Sequence, residues 1–413
     1  MPPTYLPPLS EHFAKLYPAG LAAADINYYP EERDMEAVVE ISFTSGTTSA
    51  TSKGVVLPAR SLSSNLEFGR RVLPATPGGN IFAVLPMAHM FGQAFDVLYP
   101  ITSGSHVYVM PGKPSPTRLI SGLGTVRPYM FLTVPLVIEK IFKSKVFPIT
   151  RKNPAKLLLK IPGLRRIVLN KIKSSLLTAF GNNFSVGVII GGAALNREVE
   201  DLLKKMKFPY TVGYGMTECG PLISYVASSH PTIHEAGGIA APTIEVRIDS
   251  ERATRVPGEI QVRGDVVTTG YYKNPETTKA SFTHDGWLKT GDMGVEPRPG
   301  IIYIKGRCKN MILTGSGQNI YPEEIEELIM QLPYITETLV VGRNHALVAL
   351  IVVDHDALKA AGVKEENVQG VIENSVFALN SKLPVYSQIA RCELRREPFE
   401  KTPKLSIKRF MYN

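Results

Sequence analysis

Short apolar runs, rich in residues that favour strands, recur along the first half of the chain, with helical patterns between them. Runs of four to eight residues with this pattern are typical of strands, and apolar residues at intervals of three and four are typical of helices. We predict strands at residues 80–86, 106–110, 129–135, 185–194 and 210–218. We predict helices at residues 117–123, 156–179 and 196–207. This alternation predicts an α/β fold with a mainly parallel sheet, whose ligand binds at the carboxyl ends of the strands.

The pattern changes after residue 240. From Ala240 to Thr269, short apolar runs are separated by "PG" and "RG", which predicts an antiparallel or small β-barrel-like piece. Beyond Gly306 follow a helix start, "YPEEIEELIM", two apolar runs, "ETLVVGR" and "ALVALIVV", and a second helical pattern. We therefore predict a large N-terminal domain, residues 1–306, and a smaller α+β C-terminal domain, residues 307–413.

Composition supports a globular protein of at least two domains. The chain has 413 residues, of which 44% are hydrophobic and 20% charged. Its three cysteines share no CxxC spacing, which indicates a reducing compartment and argues against a zinc site. No apolar run reaches the length of a membrane span, and the first residues lack a signal-peptide core. We expect a cytoplasmic protein, with a peripheral membrane location as the alternative.

The net charge of +9 is concentrated in one segment, residues 140–173, which contains eleven Lys and Arg residues and no Asp or Glu. One interpretation is an amphipathic helix on an anionic membrane, or a binding surface for a polyanionic ligand. The interpretation that we favour is a solvated helical face above a buried Leu/Ile stripe. Nucleic acid is the least supported partner, because no aromatic or recognition-helix pattern accompanies the charges.

A loop rich in Ser, Thr and Gly follows the first predicted strand, residues 37–43. Its sequence, "ISFTSGTTSATSKGVV", spans residues 41–56. Gly46 allows main-chain N–H groups to approach a ligand closely, the hydroxyls add donors, and Lys53 adds a positive charge. These groups suit a phosphate, although the composition fits a solvated Ser/Thr loop equally well.

Three later stretches carry side chains that suit a nucleotide. In "YTVGYGMTECGP", Tyr214 can stack on a base, Thr217 can donate to a phosphate and Glu218 can hold Mg²⁺. Asp292, in "DGWLKTGDMG", can accept two ribose hydroxyls, and Arg307 follows in "IYIKGRCKNMILTGSGQNIYPEEIE". Each residue alone also fits packing or a turn. Together, and in this order, they predict a nucleotide site.

Four motifs resemble the signature sequences of the adenylate-forming enzymes, which include acyl-CoA synthetases, peptide-synthetase adenylation domains and firefly luciferase. They are "TSGTTSATSKG", "GYGMTE", "WLKTGD" and "GRCKNMILTGSGQNIYPEEIE". The last is most similar to long-chain fatty acyl-CoA synthetases of the bacterial type. The resemblance, which extends from about Asp34 onward, implies ATP, Mg²⁺ and CoA. It implies that a fatty or other carboxylic acid becomes acyl-CoA through an acyl-adenylate, with AMP and pyrophosphate released, and that the C-terminal domain is a mobile lid.

The resemblance also implies roles for the residues of the motifs. The β- and γ-phosphates of ATP would be held by Thr44, Ser45, Gly46, Thr47, Thr48 and Lys53. The adenine would be flanked by Gly192, Ala193, Tyr214 and Gly215. Thr217 would contact the α-phosphate, and Glu218 would bind Mg²⁺. The segment from Gly191 to Ala194 would also border the acyl tunnel.

Further positions follow from the same resemblance. Asp292 and Arg307 would hold the ribose, and Lys309 falls at the hinge about which the family rotates its C-terminal domain. His89, in "LPMAHMFG", matches a position that gates the acyl or thiol tunnel, although a hydrogen-bonded core histidine is equally consistent with the sequence. Residues 315–319 would border the pantetheine channel.

One departure concerns the lysine that the family carries near its C-terminus. The corresponding stretch is "KTPKLSIKRF", which places Ser406 at the lysine's position. Serine lacks the charge and the reach, and the loss of one such donor costs roughly 10²–10³ in rate. Lys404 and Lys408 are the candidate replacements, each shifted by about 6–7 Å along the same face of a strand. The alternative is that Lys404 and Lys408 are solvated residues near the C-terminus without a catalytic role. We therefore expect weakened, but not abolished, adenylation.

A second departure concerns the front of the chain. Only about forty residues precede the phosphate loop, so we expect part of the family's first subdomain to be missing. Either another chain, an oligomer or a rearrangement then covers the exposed sheet edge, or the protein is a reduced form that leaves this edge open. The loop is also one residue longer than usual, so we expect Lys53 to be displaced. There are two alternatives to a CoA ligase. One is a non-catalytic homologue that holds nucleotide or acyl-adenylate and regulates or scaffolds a partner. The other is a transferase that takes preformed acyl-adenylate, or that loads an acyl carrier protein bound to the basic surface of residues 140–173.

Overall fold

The computed structural model describes residues 34–44, 52–112, 115–193, 195–227, 236–313, 318–344, 346–401 and 407–412. Residues 38–413 form one compact unit. Residues 34–37 belong to a separate unit that spans residues 1–37, and a hydrogen bond from the Ala37 N–H to the Asp34 carbonyl closes a turn there.

The strands of the larger unit are β1 Val38–Thr44, β2 Lys53–Pro58, β3 Asn80–Ala83, β4 His106–Val109, β5 Met130–Thr133, β6 Gly187–Gly191, β7 Tyr210–Gly215, β8 Leu222–Ala227, β9 Ala236–Ala240, β10 Ile244–Asp249, β11 Gly258–Gly264, β12 Gly270–Tyr271, β13 Leu288–Arg298, β14 Ile301–Arg307, β15 Ile312–Leu313, β16 Asn319–Ile320, β17 Ile335–Arg343, β18 Ala346–Val353 and β19 Ile389–Arg395. The α-helices are α1 Ala59–Val72, α2 Met90–Gly92, α3 Tyr99–Thr102, α4 Pro116–Val126, α5 Pro135–Ile141, α6 Phe147–Thr150, α7 Ala155–Leu158, α8 Pro162–Ala179, α9 Arg197–Lys205, α10 Pro275–Ser281, α11 Pro322–Met330, α12 His355–Ala360 and α13 Val368–Asn380. Two π-helical stretches, Gln93–Leu98 and Phe142–Val146, connect helices of the first half.

A large mixed sheet organises the first three quarters of the chain. Its strand order is β10-β11-β13-β14-β9-β8-β7-β6-β5-β3-β4. Strands β7, β6, β5, β3 and β4 are parallel, and the remaining pairs are antiparallel. The α/β fold class is therefore confirmed. The segment from Ala240 to Thr269 is antiparallel, as one of the two readings of its pattern predicts, but it forms one end of this sheet and continues it.

Successive residues of the parallel strands enter two different hydrophobic cores. On β5, Met130 and Leu132 pack on one face of the sheet and Phe131 packs on the other, and all three side chains are fully buried. This alternation follows from the two-residue period of a strand. Both faces are covered, as is typical of parallel strands. Because β6 and β7 are neighbouring parallel strands, their carboxyl ends lie at the same edge of the sheet.

The predicted helix over residues 156–179 is wrong as a single element. α7 ends at Leu158, and α8 begins at Pro162. Proline lacks the N–H group of a helix interior and clashes with the preceding turn, so it starts a new helix. The buried stripe of α8 consists of Leu169, Ile172 and Leu176. The predicted Leu/Ile stripe is thus confirmed in the second half of the helix.

The C-terminal strands β17, β18 and β19 form a separate three-stranded sheet. Helices α11 and α13 cover one face, where Ile329 and Ile372 are fully buried. Phe399, Ile407 and Tyr412 cover the opposite face. The predicted domain boundary between residues 306 and 307 stays a prediction.

Candidate active site

Three residues that the sequence places far apart meet at the end of β7. The Tyr214 hydroxyl donates to Asp292 Oδ2 at 2.7 Å, and Arg307 Nε lies 2.8 Å from Asp292 Oδ1. The antiparallel register of β13 and β14 places Asp292 directly opposite Arg307. The two carboxylate oxygens are therefore held by different strands, and the residues that the sequence assigns to one nucleotide site are in contact.

Burial differs strongly within this cluster. The Asp292 side chain is 5% exposed, whereas that of Arg307 is 47% exposed. Burial raises the pKa of Asp292, although the Arg307 charge and the Tyr214 hydroxyl oppose the shift. Burial also raises the pKa of Tyr214, and the negative charge of Asp292 adds to it, so the phenol is a protonated donor at neutral pH. Because a guanidinium has five N–H groups, Arg307 retains donors that a ligand can reach.

Glu218 forms a second cluster with residues from two other strands. It lies in a 3-10 turn, Thr217–Cys219, directly after β7, and it is buried. The Tyr271 hydroxyl donates to Glu218 Oε1 at 2.8 Å. The Lys53 ammonium lies 5.2 Å from the centre of the Tyr271 ring, which is the range of a cation–π interaction. One tyrosine thus joins the phosphate-loop lysine to the predicted magnesium ligand.

The sequence analysis does not single out Tyr271. Its strand, β12, has only two residues, which is too short for a recognisable period. It pairs with β2, and the Thr268 N–H just before it donates to the Glu218 carbonyl at 2.8 Å. The available signal is weak: a glycine before two tyrosines, followed by the Asn-Pro start of a helix in "TTGYYKNPETT".

The two clusters act on each other electrostatically. Burial lowers the pKa of Arg307, but the negative charges of Asp292, Glu218 and Glu323 raise it overall. Arg307 therefore stays positively charged among three carboxylates. A cation beside phenolic and carboxylate groups that can accept hydroxyl protons is suited to a sugar phosphate.

Glycines lie at the ends of β6 and β7. Gly192 has a φ of +90°, a conformation that other residues rarely adopt. A Cβ atom at Gly215 would lie 1.9 Å from the Pro221 carbonyl oxygen, so only glycine fits there. Ala193 is exposed beside Gly192. The adenine role predicted for these positions stays a prediction.

His89 lies near the same edge of the sheet. It is half-buried at the start of α2, and its carbonyl accepts from the Gln93 N–H at 2.9 Å. In α2, the ring of Phe91 packs so closely on Gly191 that a Cβ atom there would lie 3.0 Å from it. The segment carrying His89 thus contacts the end of β6, and its gating role stays a prediction.

Two contacts flank the predicted hinge. Lys309 is exposed in the 3-10 turn Cys308–Asn310 that follows β14. The Asn310 side chain donates to Glu323 Oε1 at 2.6 Å, and the Lys305 ammonium lies 2.7 Å from Glu324 Oε1. Both contacts join the β14 segment to the first turn of α11. The hinge role of Lys309 stays a prediction.

The remaining predicted residues lie at the margins of the described chain. Thr44 ends β1, and its hydroxyl donates to the Lys53 carbonyl at 3.4 Å. The Lys408 ammonium lies 4.0 Å from Glu400 Oε2, beside the C-terminal sheet and not in either cluster. Outside the described residues lie Ser45, Gly46, Thr47, Thr48, Ala194, Lys404, Ser406 and residues 315–317.

The donor groups around Glu218 fit Mg²⁺. Within the described ranges, no three His, Cys, Asp or Glu side chains are placed to hold a metal together. Mg²⁺ usually binds one or two carboxylates and completes its shell with substrate phosphates and water. A single buried carboxylate, Glu218, suits that mode of binding.

Sequence profiles of known families match two long segments of the chain. The AMP-binding enzyme profile matches residues 9–272, and the profile of the AMP-binding enzyme C-terminal domain matches residues 309–412. The chain belongs to the AMP-binding enzyme family. The resemblance to adenylate-forming enzymes is thus confirmed.

Curated relatives in this family include long-chain acyl-CoA synthetases. The chain is 30% identical over 368 residues to long chain acyl-CoA synthetase 6, peroxisomal, of Arabidopsis thaliana, which covers 82% of this chain and 50% of the relative. It is 29% identical over 329 residues to the long-chain-fatty-acid–CoA ligase of Escherichia coli O157:H7, which covers 77% of this chain and 52% of that protein. The chain thus spans about half the length of these relatives.

Solved structures of the family share the fold. MatB from Rhodopseudomonas palustris with bound ATP matches with a TM-score of 0.72 and 23% identity, over 92% of this chain and 68% of that one. O-succinylbenzoate coenzyme A synthetase from Bacillus subtilis in complex with AMP matches with a TM-score of 0.72 and 20% identity, over 92% of this chain and 69% of that one.

Proposed function

We propose that the protein is an ATP-dependent acid–thiol ligase that joins a carboxylic acid to the thiol of CoA through an acyl-adenylate. The observation that carries the proposal is the contact of Tyr214, Asp292 and Arg307 beside Glu218, in a chain of the AMP-binding enzyme family. These side chains come from separate stretches of sequence, and each suits a different part of MgATP.

The chemistry explains why such a site needs few reactive side chains. A carboxylate is a poor electrophile, because its charge repels nucleophiles and its oxygen is a poor leaving group. In the first step, a carboxylate oxygen attacks the α-phosphorus of ATP, and pyrophosphate leaves. In the second step, the CoA thiolate attacks the acyl carbonyl, and AMP leaves. Both steps depend on positioning and on cations near the developing phosphate charge.

The Asp292 cluster is proposed to hold the nucleoside. Each carboxylate oxygen accepts one protein donor and has a further lone pair, so Asp292 can also accept ribose hydroxyls. Arg307 retains N–H donors for the ribose or the α-phosphate because it is half-exposed. The ring of Tyr214 offers an apolar face for the adenine, while its hydroxyl holds Asp292 in place.

The Glu218 cluster is proposed to serve the phosphates. Glu218 would hold Mg²⁺, which when bound would neutralise charge on the phosphates of ATP. Tyr271 orients the carboxylate by its hydrogen bond of 2.8 Å. Lys53, beside the Tyr271 ring, supplies a second positive charge from the phosphate-loop side. Thr217, in the same turn as Glu218, is proposed to donate to the α-phosphate.

A fatty acid is the proposed acid. The support is the name of relatives that are about 30% identical, one being a long chain acyl-CoA synthetase and another a long-chain-fatty-acid–CoA ligase. The end of β6, where Phe91 packs on Gly191, is the proposed border of the acyl tunnel.

A second candidate function is a nucleotide- or acyl-adenylate-binding homologue with weak adenylation. The observation that favours it is Ser406 at the position where the family carries a lysine. Without that cation, the protein would still hold MgATP through Asp292 and Glu218 but would stabilise the transition state less.

Exchange of labelled pyrophosphate into ATP separates the candidates. We expect exchange that depends on a carboxylic acid, and that is fastest with long-chain fatty acids in a panel of chain lengths. ATP binding without exchange for any acid would contradict the ligase and support the binding homologue. If thioester formed only from supplied acyl-AMP, with CoA or a carrier-protein thiol, the protein would be a transferase.

A further inference from the structure

We propose that the segment from Ile149 to Lys171 docks the protein on an anionic lipid membrane. This inference goes beyond the proposed ligase chemistry and does not depend on it. We call the surface the 149–171 surface; its exposed aliphatic side chains are Ile149, Leu157, Ile161, Leu164 and Ile167.

The aliphatic side chains of the 149–171 surface are unusually open to solvent. Their exposed fractions are 48% for Ile149, 56% for Leu157, 50% for Ile161, 39% for Leu164 and 65% for Ile167. Single exposed apolar residues are normal on a protein surface, but five within nineteen residues form a concentration that marks an interaction site.

The geometry of α8 turns these residues away from the protein core. Consecutive helical residues are about 100° apart, so residues at intervals of three and four share one face. Leu164, Ile167 and Lys171 lie on one such face. The buried stripe around Ile172 occupies the opposite side. Packing against the core explains the apolar residues of the buried stripe, but it does not explain the apolar residues on the exposed face.

The preceding residues extend the aliphatic face. The Ile161 N–H donates to the Leu158 carbonyl, and the Arg165 N–H donates to the Ile161 carbonyl at 2.7 Å. The chain therefore continues in helix-like turns from α7 into α8, and it carries Leu157 and Ile161 toward Leu164. All six residues from Ile161 to Arg166 are exposed.

Positive charge surrounds the aliphatic residues. Exposed cations in and beside the surface are Lys140, Lys143, Lys145, Arg151, Lys152, Lys160, Arg165, Arg166 and Lys171. The whole segment of residues 140–173 contains no acid. Acidic groups on neighbouring elements are engaged: Glu198 binds Arg151 at 2.8 Å, and Glu139 accepts from the Asn196 N–H at 3.1 Å.

Exposed aliphatic side chains among cations fit an anionic membrane better than they fit an acidic protein partner or a solvated surface without a partner. Aliphatic side chains between cations are typical of helices that lie in a membrane interface, where the apolar groups enter the acyl boundary and the cations meet lipid phosphates. None of the helices in the described part of the chain is both long and apolar enough to span a bilayer. The proposed mode is therefore surface binding.

Co-sedimentation of the full chain with vesicles tests the proposal. The probes are vesicles of phosphatidylcholine alone and of phosphatidylcholine mixed with phosphatidylglycerol. We expect binding to the mixed vesicles, little binding to the neutral ones, and a strong decrease in binding at high salt.

Two variants separate the charged and the apolar contributions. Arg165→Ala/Arg166→Ala should lower the partition coefficient roughly twenty-fivefold, because each cation near an anionic surface contributes about fivefold. Ile167→Ser should lower it by about tenfold, since it removes an inserted side chain. The matched controls are Arg252→Ala/Arg255→Ala and Val385→Ser, which change exposed residues elsewhere and should leave binding unchanged.

Thermal unfolding of each variant checks that the fold is retained. The proposal would be supported if Arg165→Ala/Arg166→Ala and Ile167→Ser lost binding to the mixed vesicles while the control variants kept it. It would be overturned if the wild type did not bind mixed vesicles, if it bound neutral vesicles equally, or if the controls lost as much binding. Capture of an acidic carrier protein by a chain that ignores vesicles would also overturn it.

Discussion

Two arginine–carboxylate pairs, each with a largely buried carboxylate, lie in different parts of this molecule, and they differ in how exposed the arginine is to solvent. Arg307 and Asp292 pair near the end of β7, with one contact of 2.8 Å and a guanidinium that is 47% exposed. Arg409 and Glu326 pair in the C-terminal part, where the two side chains are only 14% and 15% exposed.

The two pairs also differ in how many of their hydrogen-bonding groups have partners within the protein. The Arg409 guanidinium contacts both oxygens of Glu326, at 2.7 and 2.9 Å, and also donates to the Val340 carbonyl. The Val340 N–H donates back to Glu326 at 2.6 Å. A pair satisfied in this way has no capacity for a ligand. The open pair, Arg307 and Asp292, keeps donors and acceptors for a ligand. We therefore assign a structural role to the Arg409–Glu326 pair and a binding role to the Arg307–Asp292 pair.

The largest expected effect is on stability, at the closed pair. Arg409→Leu should lower the free energy of unfolding by about 3–5 kcal/mol, because it leaves a buried carboxylate unpaired. Denaturant unfolding measures the change. Arg343→Leu, which breaks the more exposed contact with Glu393, is the matched control and should cost less than about 1 kcal/mol. Equal effects of the two changes would refute the contrast.

The next largest expected effect is on the rate of adenylation, at Ser406. Lys401 and Ile407 form an antiparallel bridge, and Ser406 precedes Ile407 in the sequence, outside the described residues. Ser406→Lys should raise pyrophosphate exchange by roughly 10²-fold, because it restores a cation for the transferring phosphate. Ser381→Lys, at an exposed site, is the control. If ATP still bound and exchange did not rise, Ser406 would not be the position of the missing cation.

The closed pair should also make stability depend on pH. Burial raises the pKa of Glu326 to about 7 from its ordinary 4.5. The folded state then keeps a proton that the unfolded state releases, so this contribution is full below about pH 4.5 and is lost as the pH rises through about 7. Between these values the wild-type free energy of unfolding should fall by up to about 1.4 kcal/mol per pH unit relative to Glu326→Gln. Parallel pH curves for the two proteins would contradict the assignment.

At the open pair, the expected effect is on binding. Asp292→Ala should weaken MgATP binding by about 1–3 kcal/mol, because Arg307 and the ribose hydroxyls lose their acceptor. Isothermal titration calorimetry measures it. The matched control is Asp285→Ala, whose carboxylate pairs with Arg247 at 2.7 and 3.0 Å on the surface. Unchanged affinity in Asp292→Ala would exclude the ribose role.

The smallest expected effect is at Tyr271. Removal of its hydroxyl in Tyr271→Phe leaves Glu218 without an orienting donor and should weaken MgATP binding by about 0.5–1.5 kcal/mol. Tyr272→Phe alters the neighbouring tyrosine, which is 47% exposed, and should have no effect. Equal affinities for the two variants would remove Tyr271 from the site.

Short apolar runs predicted the parallel strands well, because β3, β5 and β6 are buried on both faces and therefore read as nearly continuous apolar residues. The break at Pro162 was visible in the sequence, but the apolar spacing on either side of it favoured one long helix. Strand β12 was missed, since two residues cannot show a period.

The site shows a similar limit. Tyr214, Asp292 and Arg307 were predicted from their chemistry and the order of their motifs. Their contact depends on the register of β13 and β14, and Tyr271 reaches Glu218 only because β12 pairs with β2. Likewise, the sequence marks the cations of residues 140–173, but which isoleucines remain exposed depends on which helices pack against α8.

Hydrogen–deuterium exchange with and without MgATP tests the central claim most directly, because it follows all parts of the proposed pocket in one experiment. The account predicts that amides in residues 210–219, 268–273 and 290–309 gain protection together at saturating MgATP. No added protection, or protection confined to one of these stretches, would contradict a single nucleotide pocket.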